Sequence, residues 1–216
     1  SEVEQNLKIC YDMYSGFAAN PNIYGTVLIG LGCEGCTPDK MADAIREKTN
    51  KPLAVVVIQD EGGTVNAINK AVKYAREFVQ EASLVQKEEI PLSELFIGLE
   101  CGGSDATSGL AANPVVGKVS DLVVDNGGSA VMSETTEFIG AEHILAKRAA
   151  TPEIKKQIIG ICKNLEEHLA NVNQNLRTGQ PTPGNKEGGI STIEEKSLGC
   201  IYKGGTRPIV EVLDYA

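Results

Sequence analysis

The sequence predicts an α/β fold: a Rossmann-like parallel sheet flanked by helices over residues 1–150, then a helical and loop-rich C-terminal lobe over residues 151–216. The whole reads as one domain of 216 residues. Three observations carry this expectation. Four short apolar runs are continuous rather than alternating, as in strands covered on both faces. Segments with helical apolar spacing lie between them, which calls for parallel crossovers. Polar, mostly glycine-rich segments follow the runs, where an open parallel sheet gathers its ligands.

The four runs are Tyr24–Gly30, Leu53–Ile58, Leu95–Leu99 and Ser129–Ser133. Between the first two, Thr37-Pro38 is a helix start, with a capping hydroxyl and Pro in the first turn. Between the second and third, a helix is predicted from about Thr64 to Gln80. Its Val65, Ile68, Ala71, Val72, Ala75, Phe78 and Val79 recur at three- and four-residue spacing and make one apolar stripe. From Pro152 to Leu176, Ile154, Ile158, Ile161, Leu165, Leu169, Val172 and Leu176 mark a long amphipathic helix. Gly179–Gly189, rich in Pro and Gly, reads as a loop. Two strand-like pieces, around Cys200 and over Ile209–Leu213, close the chain. No internal repeat or low-complexity tract interrupts it.

Composition narrows the function classes. A hydrophobic fraction of 42% and a charged fraction of 23% suit a globular domain. Twenty basic against 29 acidic residues leave a formal charge of −9, which argues against binding a nucleic-acid backbone. No run of 18 apolar residues spans a membrane. No basic segment followed by an apolar stretch opens the chain as a secretory signal would. The six cysteines therefore read as cytosolic thiols, and a cytoplasmic location is expected. The chain begins at Ser1 rather than Met, which points to processing or truncation.

Chemistry-bearing residues cluster where the strands end. Gly30-Leu-Gly-Cys-Glu-Gly-Cys36, Gln59-Asp-Glu-Gly-Gly-Thr64, Glu100-Cys-Gly-Gly-Ser-Asp105 and Ser133-Glu134 each follow an apolar run. Cys33, Gln59, Cys101 and Glu134 are therefore expected at the same sheet edge. Glycine there permits close approach and unusual dihedrals. The first segment has the look of a dinucleotide fingerprint, but Gly35 reads as one position beyond the register of the third Gly and no acid is read where a ribose would need one after the next strand, so no nicotinamide cofactor is expected. A P-loop motif is absent. Cys33 and Cys36 form a C-x-x-C without a second pair. Cys101 and Cys200 either join Cys33 in space or pack as small apolar residues. Cys10 and Cys162 fall on helical faces as packing residues. Of the two histidines, His168 borders the stripe of the long helix, and His143 opens a helix, with metal binding and packing both open there. A thiol-redox or iron–sulfur protein resting on Cys33 and Cys36 is the weaker reading.

The stretch Gly98-Leu-Glu-Cys-Gly-Gly-Ser-Asp-Ala-Thr-Ser-Gly-Leu-Ala-Ala-Asn-Pro114 closely resembles a signature of the altronate and galactarate dehydratase family. So do Gly30-Leu-Gly-Cys-Glu34, Ser133-Glu-Thr-Thr-Glu-Phe-Ile-Gly-Ala-Glu142, Pro183-Gly-Asn-Lys-Glu-Gly-Gly-Ile-Ser-Thr192, and Glu195-Lys-Ser-Leu-Gly199 with Lys203. Five blocks in order cover nearly the whole chain; Cys36 occupies a position the motif does not fix. The resemblance implies a metal-dependent hydro-lyase that removes water from a sugar acid such as altronate or galactarate to give a 2-keto-3-deoxy acid. A divalent ion is implied, Fe2+ first, with Mn2+ or Mg2+ as alternatives. It also implies roles: Lys196, Glu134 and Asp105 catalytic; Gly102, Gly103, Ser104, Asn185 and Lys203 substrate-binding; Cys33, Glu34 and Cys101 metal-binding.

Sulfolactate sulfo-lyase large subunits are similar too, so a C–S lyase is the alternative, as is a fragment or non-catalytic homologue holding part of the site. Family members are about twice this length, with upstream Gly-Cys and His-bearing blocks and a downstream Gly-rich domain. The chain is thus expected to be the central part of a longer enzyme, with a small-molecule sugar acid as partner and either a homo-oligomer or further domains completing it. The chemistry is intelligible. A proton beside a carboxylate is very weakly acidic unless a metal or cation stabilises the aci-carboxylate that forms. Over Thr178–Pro208, Lys186, Lys196, Lys203 and Arg207 outnumber Glu187, Glu194 and Glu195, a local positive field that suits an acid substrate.

Overall fold

The computed structural model describes residues 2–213. It divides into two compact units, one up to Glu88 and one from Glu89. The division expected at residue 150 inside a single domain is therefore not where the backbone separates. The α/β class holds, but the four strands do not join one sheet. They form two parallel pairs, one in each unit.

The first unit contains α1 (Glu2–Ala19), β1 (Thr26–Gly30), α2 (Pro38–Lys48), β2 (Leu53–Val57) and α3 (Thr64–Ala82). β1 and β2 run from Thr26 opposite Leu53 to Gly30 opposite Val57. Met41 and Ile45 of α2 bury against Ala18 of α1, and Ala67 and Ala71 of α3 bury with Val56. These small side chains bring α3 close to the sheet. The predicted stripe of α3 is only partly the packing face. The row Ala67, Ala71, Tyr74 meets the strands, whereas Val65, Ile68, Val72 and Val79 stay exposed. Two apolar rows share one helix, and periodicity alone merges them.

The second unit contains β3 (Phe96–Leu99), α4 (Asn113–Asp125), β4 (Ser129–Met132), α5 (Glu142–Leu145), α6 (Pro152–Asn171), α7 (Leu176–Gly179), α8 (Pro183–Glu187) and α9 (Ile193–Cys200). A π-helical turn, Ser108–Ala112, leads into α4, and a 3-10 turn, Ile201–Gly204, follows α9. β3 and β4 pair from Phe96 opposite Ser129 to Leu99 opposite Met132. The core gathers Phe138, Ile139, Leu145, Ile158, Cys162, Ile193 and Ile201, so Cys162 packs as expected.

Four expectations need correction. Cys200 ends a helix rather than lying in a strand, because Thr192 accepts the Glu195 amide and caps α9. Ile209 makes a single bridge to Ala149 rather than a strand. The Pro- and Gly-rich loop holds α8, capped by Thr182. The long helix stops at Asn171, just before Asn173 adopts φ 56°. Among the described residues, no helix is long and apolar enough to cross a membrane.

Candidate functional site

In the first unit, Cys33 and Gln59 lie beyond the carboxyl ends of β1 and β2, with Gln59 Nε2 donating to Cys33 Sγ at 3.5 Å. Glu34 turns back on its own loop: its carboxylate accepts the amides of Leu31 at 2.7 Å and Gly32 at 2.5 Å. Backbone hydrogen bonds, that of its own amide first and then those of Gly32 and Leu31, hold its carboxyl below the usual range. Gly30, Gly32 and Gly35 do keep G-x-G-x-x-G spacing. Here Glu34 accepts the amides of Leu31 and Gly32 within that loop, and α2 starts only at Pro38.

The second unit assembles a denser arrangement. Cys101 N donates to Glu134 Oε2 at 2.7 Å, which ties the loop after β3 to the loop after β4. Cys101 Sγ lies 3.1 Å from Ser104 Oγ. The Cys101 thiol and the carboxylates of Glu134 and Glu137 present ligand atoms all within 4.8 Å of one another. Glu134, extended, precedes a 3-10 turn over Thr135–Glu137, and the Glu137 amide donates to the Glu134 carbonyl at 3.0 Å, which returns the chain so that the two carboxylates come together. Glu137 is 3% exposed and doubly held. Cys200 Sγ donates to Oε1 at 3.1 Å and Lys203 Nζ to Oε2 at 2.5 Å. Cys200 and Lys203 are again three apart, across the 3-10 turn that follows α9.

Two backbone contacts seat that turn. Gly117 of α4 lies so close that a Cβ there would stand 2.2 Å from the Tyr202 carbonyl oxygen. Gly109 and Gly199 cross with the same intimacy, a Cβ on Gly109 falling 2.9 Å from the Gly199 Cα. Ser120 Oγ donates to the Lys203 carbonyl at 2.7 Å, both groups being buried. Asp121 accepts the Thr206 amide at 2.6 Å and its hydroxyl at 2.9 Å.

Electrostatics follow from this burial. Burial and the neighbouring Glu137 push the Cys200 thiol up to about 12, so it is a neutral donor at pH 7. Burial works against the Lys203 charge, but its hydrogen bond and ion pair with Glu137 outweigh it and raise the amine. Their side chains are 6% and 4% exposed, so water replaces neither partner. A desolvated pair of this kind costs much to bury and more to break.

The other sequence-predicted residues sort around this cluster. Asn185 is buried and donates from Nδ2 to the Ser104 carbonyl at 2.9 Å; its Oδ1 has no partner among the described residues. Gly102 and Gly103 leave open space where a Cβ would stand. Asp105 spends Oδ1 on the amides and hydroxyls of Thr107 and Ser108, a turn cap whose hydrogen bonds, that of the Thr107 hydroxyl first, lower its carboxyl. Lys196 Nζ donates to Gln180 Oε1 at 3.4 Å. Both histidines are exposed. Glu137, unassigned from sequence, lies three residues after Glu134, and that spacing was the available signal.

A family profile described as D-galactarate/Altronate dehydratase, C-terminal, matches residues 92–216, and one described as D-galactarate dehydratase/Altronate hydrolase, second domain, matches residues 1–83. The gap between them brackets the boundary of the two units at Glu88. An altronate dehydratase of Bacillus subtilis is 39% identical over 91% of this chain and 39% of its own length. A galactarate dehydratase (L-threo-forming) of Escherichia coli is 39% identical over 90% and 38%. A (2R)-sulfolactate sulfo-lyase subunit beta of Chromohalobacter salexigens is 40% identical over 93% and 51%. The chain thus spans between about two-fifths and half of the length of these relatives. With the match of the first profile covering more than half of its residues, the chain belongs to the D-galactarate/altronate dehydratase family.

Proposed function

We propose that these residues form the ion- and acid-binding part of a metal-dependent hydro-lyase that removes water from a sugar acid of the altronate or galactarate type, giving a 2-keto-3-deoxy acid. The observation that carries this reading is the meeting of Cys101, Glu134 and Glu137 beside a buried lysine. One thiolate with two carboxylates fits a first-row divalent ion such as Fe2+ or Mn2+ better than Mg2+, which favours oxygen ligands and retains its waters. Cys101 and Glu137 would hold the ion, with Glu134 in reach as a third ligand before substrate arrives. The bound ion would supply Lewis-acid stabilisation of the aci-carboxylate.

The chain's own groups account for the rest. Of Lys196, Glu134 and Asp105, Glu134 shares the cluster with Cys101 and Glu137, so proton removal beside the substrate carboxylate is assigned to its carboxylate. Lys203 supplies positive charge for the acid. Asn185, through the Ser104 carbonyl, holds the loop that carries Cys101. Gly102 and Gly103 leave the approach to it open.

Sulfite expulsion from sulfolactate uses the same proton and the same leaving position, and the sulfo-lyase relative is as similar as the dehydratases. The test is a substrate panel with the full-length gene product, anaerobic and with Fe2+. Formation of a keto acid from altronate or galactarate, abolished by chelator and restored by Fe2+ or Mn2+, is expected. Sulfite release from sulfolactate alone favours the second reading. Turnover indifferent to chelation removes the metal.

A further inference from the structure

Glu137 presents an unresolved competition. Its Oε2 accepts from the Lys203 ammonium at 2.5 Å, and its Oε1 accepts from the Cys200 thiol at 3.1 Å. The same residue offers a carboxylate oxygen within 4.8 Å of the Cys101 thiol and of a Glu134 carboxylate oxygen, a spacing at which one ion could bridge them. Two cations on one carboxylate repel each other, most strongly where water is excluded, as it is here. We propose that Lys203 is a displaceable internal cation: it holds Glu137 in the metal-free protein, and when a divalent ion takes that carboxylate the ammonium turns to the carboxylate of the incoming acid. This rests on the metal-dependent reading above.

The construction around Lys203 fits such an exchange. Its backbone is pinned, because Ser120 Oγ donates to its carbonyl and the preceding Tyr202 carbonyl abuts Gly117. The exchange would then involve only the four-carbon stem, a chain with several rotatable bonds and a point charge at its end. The ammonium therefore moves without moving the turn. Cys200 stays on Oε1 throughout and keeps the Glu137 plane oriented while Oε2 changes partner. The exchange also orders the events: the ion binds first, and only then does the site hold an uncompensated cation for an anionic substrate. Before the ion arrives, the lysine is spent on Glu137 and a sugar acid gains little there.

The test measures Co2+ alone, titrated anaerobically into the full-length gene product, with binding read by calorimetry and by the thiolate-to-cobalt band. Lys203→Met removes the competing cation and is expected to tighten Co2+ binding by roughly tenfold or more. Lys203→Arg keeps the charge and grips a carboxylate with a planar fork, so it is expected to bind Co2+ more weakly than the wild type. The arginine variant decides the matter should the methionine variant fail to fold. Unchanged or weaker binding in a folded Lys203→Met, or equal or tighter binding in Lys203→Arg, overturns the exchange. A thiolate band that is present in the wild type and lost in Cys101→Ser, yet indifferent to both Lys203 variants, leaves the metal reading standing and this inference refuted. Absence of the band in the wild type refutes both.

Discussion

Gly117→Ala and Gly160→Ala put the same methyl group into two helices with opposite expected signs. On α6, nothing lies within 4 Å of a Cβ at Gly160. Alanine there gains helix propensity and loses unfolded-state entropy, a stabilisation of about 0.5–1 kcal/mol. On α4, the Cβ at Gly117 would meet the Tyr202 carbonyl oxygen at 2.2 Å and the Gly205 Cα at 3.2 Å. Both obstacles are backbone and cannot rotate away, and the first lies more than an ångström inside a normal contact. Overpacking of this kind costs about 1–3 kcal/mol, and the upper end applies because the turn carrying Lys203 has to shift. After the propensity gain of about 1 kcal/mol, a net loss of about 1–2 kcal/mol remains. Urea unfolding followed by far-UV circular dichroism measures both, with the transition of the second unit fitted separately since the chain has two units. A Gly117→Ala protein as stable as the wild type, or shifted upward like Gly160→Ala, would show that α4 and the 3-10 turn are not in contact as described.

Other outcomes follow from the same geometry. Burial of Asp121 opposes its charge, but the Thr206 amide and hydroxyl and the nearby Arg207 outweigh this and hold its carboxyl below the ordinary 3.8. Its contribution is therefore present above that value and lost as the pH falls through the lower folded value. Asp121→Asn should cost about 1–3 kcal/mol at pH 7 and flatten the acid limb of stability; an unchanged limb would refute the assignment. Burial, with the charges of Glu142 and Glu166, also pushes the Cys162 thiol up to about 12, and Cys200 stands equally high. Native iodoacetamide labelling mapped by mass spectrometry should mark the exposed Cys33 and spare Cys162 and Cys200; early labelling of Cys200 would contradict its place beside Glu137.

What the sequence made legible was local. Continuous apolar runs located all four strands within two residues of their ends, because a short apolar run bounded by turn residues is itself the strand signal; the expected cover on both faces is not met, since Ile29 and Phe96 stay exposed. Pro38 in the first turn of α2 and the stripe of α6 were legible on equally local grounds, although the Thr37 hydroxyl makes no capping hydrogen bond. Pairing was not, since nothing in Tyr24–Gly30 distinguishes the partner Leu53–Ile58 from Leu95–Leu99. Residues converging on the site could be guessed from strand ends for Cys101 and Glu134. Glu137, and its contact with Cys200, were hidden because that proximity depends on two 3-10 turns and on glycine-to-backbone contacts distant in sequence. Asp105 reads as chemistry in a one-letter string, yet its oxygen is taken up by Thr107 and Ser108, a competition visible only in three dimensions.

The most direct test of the central claim is kcat/KM of Glu137→Gln in the full-length gene product with Fe2+, beside its thermal melt. Gln keeps the size and one acceptor but removes the charge that pairs with Lys203 and that would hold an ion. A folded variant with kcat/KM lower by roughly a hundredfold or more is predicted, the loss that removal of a group stabilising developing charge produces. A folded variant that turns over sugar acid at the wild-type rate would contradict the placement of the site at Cys101, Glu134 and Glu137.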